Sequence, residues 1–160
     1  KPNETNSIFL PIKSLMDEMY AADTSKKIRA VVQSKARAGE RVTVNPPYGY
    51  LKTPNNPKNW IVDPVASEVV KRIFQEAKSG KSLSEISKGL KNDKIFKPDR
   101  HRIEIGLKPI SSSPNVETLP YFWTRETLSA ILGREEYLGH TVNLRTRTKS
   151  YKEKSGRLSY

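Results

Sequence analysis

The stretch from Pro11 to Tyr50 most constrains the fold of this chain. The apolar side chains at its start share the three- and four-residue spacing of one helix face and are Ile12, Leu15, Met16 and Met19. Its second part is basic, and Gly39 and two prolines follow, which end a helix. We therefore expect one long helix from Pro11 to about Ala38, with an apolar start and a basic end that contact different partners.

The basic end of this helix has two interpretations. Its cations, including one just beyond the helix, are Lys26, Lys27, Arg29, Arg37 and Arg41. They form either a phosphate-binding surface or an ordinary solvated helix face. Short polar side chains at 23–25 predict a bend or a restart, because they compete for backbone hydrogen bonds. Residues 1–10 are expected to be an extended lead-in, with a short strand at 8–10.

Charge makes a polyanion the first partner to consider. The 160 residues include 29 Lys and Arg against 17 Asp and Glu, a formal net charge of +12. Nucleic acid is favoured over a membrane, since the sequence has no apolar run of about 18 residues. The start, Lys1-Pro2-Asn3, is neither an initiator methionine nor a signal peptide. We expect the N-terminus to have been cut from a longer protein.

Catalytic and metal chemistry have little support in the sequence. Cysteine is absent, which excludes disulfides, thiol nucleophiles and cysteine zinc sites and favours a reducing cytoplasm. His101 and His140 lie in different segments without ligand spacing, so neither a metal nor another cofactor is expected. Adjacent carboxylates diverge by about 100° on a helix, and Ser25 has no activating partner. We expect no active site in this chain.

Three capped helices are predicted downstream, over 64–79, 82–92 and 124–133. Asp63-Pro64 starts the first, Ser82 and Glu85 form a capping box on the second, and Thr124 caps the third. Short strands are expected at 41–44, 60–62 and 140–144. The segment 93–122 is rich in proline and is expected to be irregular.

The expected fold is mainly α with minor β: the long N-terminal helix, then a small domain that resembles a helix-turn-helix and contains short strands. An ordinary helical core is the alternative interpretation. In the first interpretation the third helix enters the major groove of DNA with side chains on or beside its polar face, namely Arg125, Ser129 and Arg134.

Two further sets of residues are candidates for DNA contact. Tyr48 and Tyr50 follow two prolines and would lie along a groove wall, or they plug the helical domain, which we favour for at least one of them. Arg145 and Arg147 begin a basic terminal segment with no core signal. This segment is interpreted as a tail or an interrupted hairpin.

Four motifs in order resemble the large serine recombinases, in the part that follows their catalytic domain. They are DEMYAADTSKKIR, PPYGYLK, IVDPVASEVVKRIFQEAKSGKSLSEISKGLKNDKI and WTRETLSAILGREEYLGHTV. The resemblance covers Pro11 to Val142. It implies a bacterial, nucleoid-associated recombinase of the integrase, resolvase or transposase kind. The serine that forms its phosphoserine link to DNA would lie upstream and matches no residue here.

The resemblance also implies a division of the chain into three parts. Residues 1–38 would be the lead-in and linker helix, 39–144 the first DNA-binding domain, and 145–160 the start of a missing domain. The linker helix would join recombinase subunits, and its basic end would lie over the minor groove. In this chain alone, the apolar half of the helix would pair with a second copy as a homodimer, fold back or fray. Double-stranded DNA is then the main partner. The alternatives are a stand-alone helix-turn-helix regulator and an RNA-binding module.

Overall fold

The computed structural model describes residues 4–43, 45–110, 115–148 and 157–159. Within these residues the chain is mainly α with minor β, which confirms the predicted fold class. The helices are α1 Glu4–Arg37, α2 Pro64–Lys78, α3 Leu83–Asn92, α4 Pro98–Glu104 and α5 Arg125–Leu132, followed by a 3₁₀ turn at Glu135–Leu138. The strands are β1 Tyr50–Thr53, β2 Asn56–Val62, β3 Thr146–Thr148 and β4 Arg157–Ser159.

The chain divides into two compact units. One, the α1 unit, contains α1, the residues up to Val42, and the chain from Thr141 onward. The other, the core unit, runs from Thr43 to His140. In the α1 unit β3 and β4 pair as antiparallel strands, so the basic segment forms a strand pair, while residues 149–156 lie outside the described part.

The start of α1 differs from the prediction. The helix begins at Glu4 rather than Pro11, so residues 8–10 are helical and not a strand. Proline fits the helical φ and removes only its own N–H from the bonding pattern, although its ring disfavours the preceding turn. The helix therefore continues on both sides of Pro11.

The predicted restart at Asp23 to Ser25 does not occur, because α1 runs without interruption through these residues. Asp23 Oδ2 lies 2.8 Å from Lys27 Nζ, and Arg29 donates to the Ser25 carbonyl at 3.2 Å and to its hydroxyl at 3.1 Å. These contacts span four residues, the spacing of neighbouring turns. The polar side chains thus support the helix instead of ending it.

Two predicted strands are not formed. Arg41 to Thr43 and the segment 140–144 have no strand pairing in the described residues, and Val44 lies outside them. The side-chain amide of Asn143 accepts a bond from the Val42 amide at 3.1 Å and donates to the Glu40 carbonyl at 2.9 Å. One side chain thereby supplies the hydrogen bonds that a neighbouring strand would have supplied.

Local capping signals place the three predicted helices of the core unit. Asp63 accepts from the amides of Val65 and Ala66, both at 3.0 Å, at the start of α2. Ser82 and Glu85 form the expected capping box on α3, since each accepts a bond from the other's backbone amide. The helices begin and end within one or two residues of their predicted bounds.

The segment 93–122 was expected to be irregular, but it contains α4. Lys97-Pro98 starts this helix because proline suits the first helical turn, a signal that the sequence carried. His101 lies in α4 and is buried. The prediction was wrong because only seven residues are helical and they show no apolar stripe.

The core of the core unit is formed where α2, α3 and α5 meet. Its buried members are Val70, Ile73, Ile86, Leu90, Trp123, Leu128 and Ile131. Gly49 lies directly above α2 with φ of +94°, and a Cβ there would meet Val70 Cγ2 at 3.2 Å. Glycine is required here because its φ is positive and because a Cβ would contact the Val70 side chain too closely. It leads the chain into the β1–β2 hairpin, in which Tyr50 pairs with Val62.

Candidate nucleic-acid interface

Helix α5 presents a well-defined N-terminus to solvent. Thr124 Oγ1 accepts a bond from the Thr127 amide at 3.2 Å, which satisfies one of the free amides of the first turn. Arg125 is the first residue of the helix and is exposed, and Ser129 is exposed one turn later. The local sequence signals therefore place both side chains on the solvent face of α5.

The solvent face of α5 is narrow and mostly made of short side chains. Leu128 and Ile131 are buried on its other side. The exposed residues, including one just beyond the helix, are Arg125, Glu126, Ser129, Ala130 and Gly133. Only the first two are long, and both lie in the first turn. A helix with this profile can approach a surface closely while two charged groups project from its N-terminal end.

Glu126 is held in its ionised form at this helix start. Its own backbone amide and the Thr124 hydroxyl donate to the carboxylate and lower its pKa, against a small opposing effect of burial, and the charge of Arg125 lowers it further. The carboxylate therefore accepts hydrogen bonds and does not donate them. Arg125 and Glu126 together place a donor fork and an acceptor next to each other.

Arg134 differs from Arg125 in its surroundings. It follows α5, is partly buried, and its Nη1 lies 3.4 Å from Glu136 Oε1. Part of its charge is therefore already balanced within the protein. The structure places Arg134 beside α5, as the sequence suggested, but Arg125 is the more accessible cation.

The basic end of α1 exposes all four of its predicted cations. Lys26, Arg29 and Arg37 fall within about 80° around the helix axis, given 3.6 residues per turn. Lys27 lies next to this sector, where the hydrogen bond and then the charge of Asp23 raise its pKa. Apart from that pair, the surface carries positive charge along two to three turns.

The apolar start of α1 is equally exposed. Four predicted interface side chains, namely Ile12, Leu15, Met16 and Met19, remain between 50 and 65% exposed. Phe9 extends this stripe by one turn and is 69% exposed. The sequence prediction missed Phe9 because it treated that residue as part of a strand. Exposed apolar stripes of this length are typical of interaction surfaces.

The two tyrosines of PPYGY lie among other aromatic side chains of the core unit. Tyr48 packs edge-on against Trp123 and His101, with ring centroids 5.6 and 5.7 Å away. Burial raises the pKa of its hydroxyl above the usual range. Tyr50 is half-buried and stacks on Tyr137 at 6.1 Å. These positions match the alternative that the tyrosines fill the helical domain, most clearly for Tyr48.

Three further candidate cations lie in the α1 unit. Arg41 is partly buried after the end of α1, and Arg145 is exposed. Arg147 is the central residue of β3, paired with Leu158, and its side chain lies outside the described part. They do not share an element with Arg125.

A buried polar pair was not predicted. Asp63 Oδ2 lies 2.7 Å from His101 Nε2, with both side chains less than 10% exposed. Burial raises the pKa of Asp63, but the amides of Ala66 and Val65 and the His101 contact outweigh it and leave the pKa below its usual value. The pair ties α4 to the start of α2. No local spacing in the sequence could reveal it, because the two residues are 38 positions apart.

The described residues contain no group of three His, Cys, Asp or Glu side chains arranged to hold a metal ion. Likewise, no described helix has the length and apolar composition needed to cross a bilayer. The Asp63–His101 pair is the main titratable cluster in the core, and its carboxylate is already occupied by the α2 amides. Its arrangement is that of a structural link.

Comparison with known proteins gives one match. The model of the Recombinase family matches residues 64–159, which is more than half of the chain. No curated protein and no solved structure matches the chain. The matched region includes α2 to α5 and agrees with the recombinase domain of a serine recombinase. Given these helices and this match, the chain belongs to the Recombinase family.

Proposed function

We propose that this chain binds double-stranded DNA sequence-specifically as the non-catalytic part of a serine site-specific recombinase. The observation that carries this proposal is the exposed, capped start of α5, with Arg125 at its first position, inside the region that matches the Recombinase family. The phosphoserine chemistry that the resemblance implies belongs to an upstream domain, so this chain contributes binding and not bond cleavage.

Major-groove reading by α5 is supported by the shape of its solvent face. Short side chains at Ser129, Ala130 and Gly133 let the helix approach base edges closely. Arg125 offers the planar fork that pairs with guanine O6 and N7. Contacts of this kind discriminate between bases, whereas contacts to phosphate fix position and add affinity.

The basic end of α1 supports the contribution of phosphate contacts, which add affinity without sequence preference. Lys26, Arg29 and Arg37 form an exposed stripe that suits a phosphate backbone or a minor groove. Such contacts release counterions and do not depend on sequence, so their strength falls as salt rises. The net charge of +12 favours association with any duplex in the same way.

The two surfaces predict different effects on mutation. Arg125→Ala should lower affinity for a selected duplex about 5- to 150-fold and relax preference at one or two base pairs. Lys27→Ala and Arg29→Ala should weaken selected and random duplex alike and reduce the salt slope by about one. The duplex is obtained by selection from a library with a randomised core about two helical turns long. Fluorescence anisotropy at several salt concentrations then gives each affinity.

Two variants serve as controls for this experiment. Arg125→Lys keeps the charge but loses the planar fork, so it should bind random duplex normally and still lose preference. Lys13→Ala removes an exposed lysine from the apolar half of α1 and should change neither affinity. The three alanine variants, at Arg125, Lys27 and Arg29, could each lose as much affinity for the selected duplex as for the random duplex. That result would refute the proposal that α5 provides sequence preference and α1 provides general affinity. Tighter binding to RNA of the same length would favour an RNA-binding module.

The apolar stripe of α1 supports a second copy of the chain as a partner. Its side chains have the i, i+3, i+4, i+7 spacing with which two helices pack. A homodimer through this stripe would place two DNA-binding units on one duplex. The proposal accounts for Phe9 and Met16, which a solitary helix would leave exposed.

Met16→Glu should convert the chain from dimer to monomer, because a charge in the centre of a paired apolar stripe is costly to bury. Light scattering over a range of concentrations measures the mass. Ser14→Glu introduces the same charge on the opposite side of α1 and should leave the dimer intact. If the unmodified chain is monomeric at the highest concentration, this mode of pairing is excluded.

A further inference from the structure

We infer that Ser87 is a positioning residue for DNA recognition, because it fixes the start of α5 against α3. This inference rests on the proposed function of α5. Ser87 lies on α3 and donates its hydroxyl proton to the Trp123 carbonyl at 2.6 Å. Trp123 comes directly before Thr124, the residue that caps α5. The bond therefore acts at the point where the chain enters the helix that carries Arg125.

The side chain of Trp123 is held as firmly as its backbone. Its indole N–H donates to the Ile95 carbonyl at 3.0 Å, and only 1% of the residue is exposed. Tyr48 packs against its ring on another side. The residue before the cap is thus attached to α3 through Ser87 and to the chain just after α3 through Ile95. Neither contact reaches the solvent face of α5.

The long segment between α3 and α5 is closed at its base by further contacts. The Lys97 amide donates to the Pro120 carbonyl at 2.9 Å, and the rings of Phe96 and Tyr121 stack at 5.2 Å, 11° from parallel. These pairs join the two ends of the segment beside Trp123. Because its ends are joined, the many residues between α3 and α5 do not loosen the junction.

Ser87 forms a direct polar link between α3 and the residue before the cap of α5. Ile95 and Lys97 belong to the segment itself, whereas Ser87 belongs to a core helix whose Ile86 and Leu90 are fully buried. The Ser87 bond therefore fixes the orientation of the start of α5 relative to the core. The Ser87 side chain is partly buried, and its hydroxyl bonds to the backbone of Trp123 and not to a side chain of α5.

Positioning matters for base reading more than for phosphate binding. A bidentate contact to a base requires both partners to be aligned closely, so a small displacement of the side chain weakens it. A mobile helix start must also be ordered when it binds, and this ordering lowers the affinity. Phosphate contacts by flexible lysines tolerate such movement. Loss of the Ser87 bond should therefore reduce specific affinity while leaving the salt-dependent affinity for random duplex unchanged.

The test compares Ser87→Ala with the unmodified chain on the selected duplex and on random duplex. We expect a loss of about 2- to 10-fold on the selected duplex, the range that one hydrogen bond supports, and no change on random duplex. Amide hydrogen exchange should accelerate at Thr127 and Leu128 in the first turns of α5 and stay unchanged in α2. The exchange measurement needs no DNA.

Two variants make the test specific. Ser87→Thr keeps the hydroxyl and should restore the preference for the selected duplex. Ser84→Ala makes the same change on α3, at a partly buried serine, without removing a bond to α5, and should behave as the unmodified chain.

The outcomes separate the two proposals. If Ser87→Ala retains full preference and normal exchange, or if Ser84→Ala loses as much, the positioning role is wrong while the proposed function stands. If the unmodified chain shows no preference for any duplex, the proposed function fails, and the positioning role in recognition fails with it. Equal losses on both duplexes would indicate a general structural role and would also overturn the inference.

Discussion

Replacing Trp123 with alanine should lower the free energy of unfolding of the core unit by about 3–5 kcal/mol. The indole is among the largest fully buried side chains and fills the space between α3, α5 and Tyr48. Its loss leaves a cavity and removes the donor for the Ile95 carbonyl. A domain of this size is stable by about 5–15 kcal/mol, so the variant should be partly unfolded at modest urea concentrations.

Urea unfolding followed by far-ultraviolet circular dichroism measures this loss without relying on tryptophan fluorescence. Trp123→Phe keeps most of the apolar volume but loses the N–H. It should lower the free energy of unfolding by about 1–2 kcal/mol. Phe122→Ala alters the neighbouring residue, which is 48% exposed, and should stay within about 0.5 kcal/mol of the unmodified chain. A comparable loss at Phe122 would show that the α5 entry, and not the buried indole, determines stability.

The residues that define helix ends explain why so much of the core unit was predictable. The capping side chains of Asp63, Ser82 and Thr124 accept hydrogen bonds from backbone amides two or three residues further along the chain. Their effect can therefore be predicted from the local sequence. The exposed position of Arg125 follows from the same local register. Helix α4 was missed because a short helix without an apolar stripe leaves little signal beyond Lys97-Pro98.

The contacts that position these helices were not predictable in the same way. Ser87 meets Trp123 across 36 positions, and Asn143 meets Val42 across 101. Such pairs depend on how the helices and loops pack together. A single serine or asparagine belongs to no periodic sequence pattern from which a distant partner could be predicted. The sequence thus indicated which side chains of α5 face solvent, but not what holds α5 in place.

Replacing Asp63 with alanine should destabilise the core unit by about 2–4 kcal/mol. The change removes the cap from α2, whose amides bond to Oδ1, and leaves the buried His101 without its partner on Oδ2. Asp63→Asn keeps an oxygen for the α2 amides but replaces the charged oxygen that faces His101 Nε2 with an NH2 group, which can only donate. Asp63→Asn should lower the free energy of unfolding less than Asp63→Ala, and the difference separates the effect of the cap from that of the contact with His101. Urea unfolding at neutral pH provides both values.

The charge of Asp63 also makes a specific prediction about pH. Its pKa is lower in the folded protein because the bonds from Ala66, His101 and Val65 outweigh the opposing effect of burial. A carboxyl with a lowered folded pKa contributes stability that is complete above its unfolded pKa of about 3.9 and disappears as pH falls through the folded pKa. Stability of the unmodified chain should therefore fall more steeply below about pH 4 than that of Asp63→Asn.

Other carboxylates in the core unit contribute to the same pH dependence, so the informative quantity is the difference between variants. Bonds from Arg72, against an opposing effect of burial, lower the pKa of Glu76 in the folded protein, and this contribution is common to every variant. Glu117→Gln removes an exposed carboxyl and should leave the acid slope of the unmodified chain in place. If Asp63→Asn keeps that slope as well, folding does not lower the pKa of Asp63, and the charge of this side chain contributes no stability.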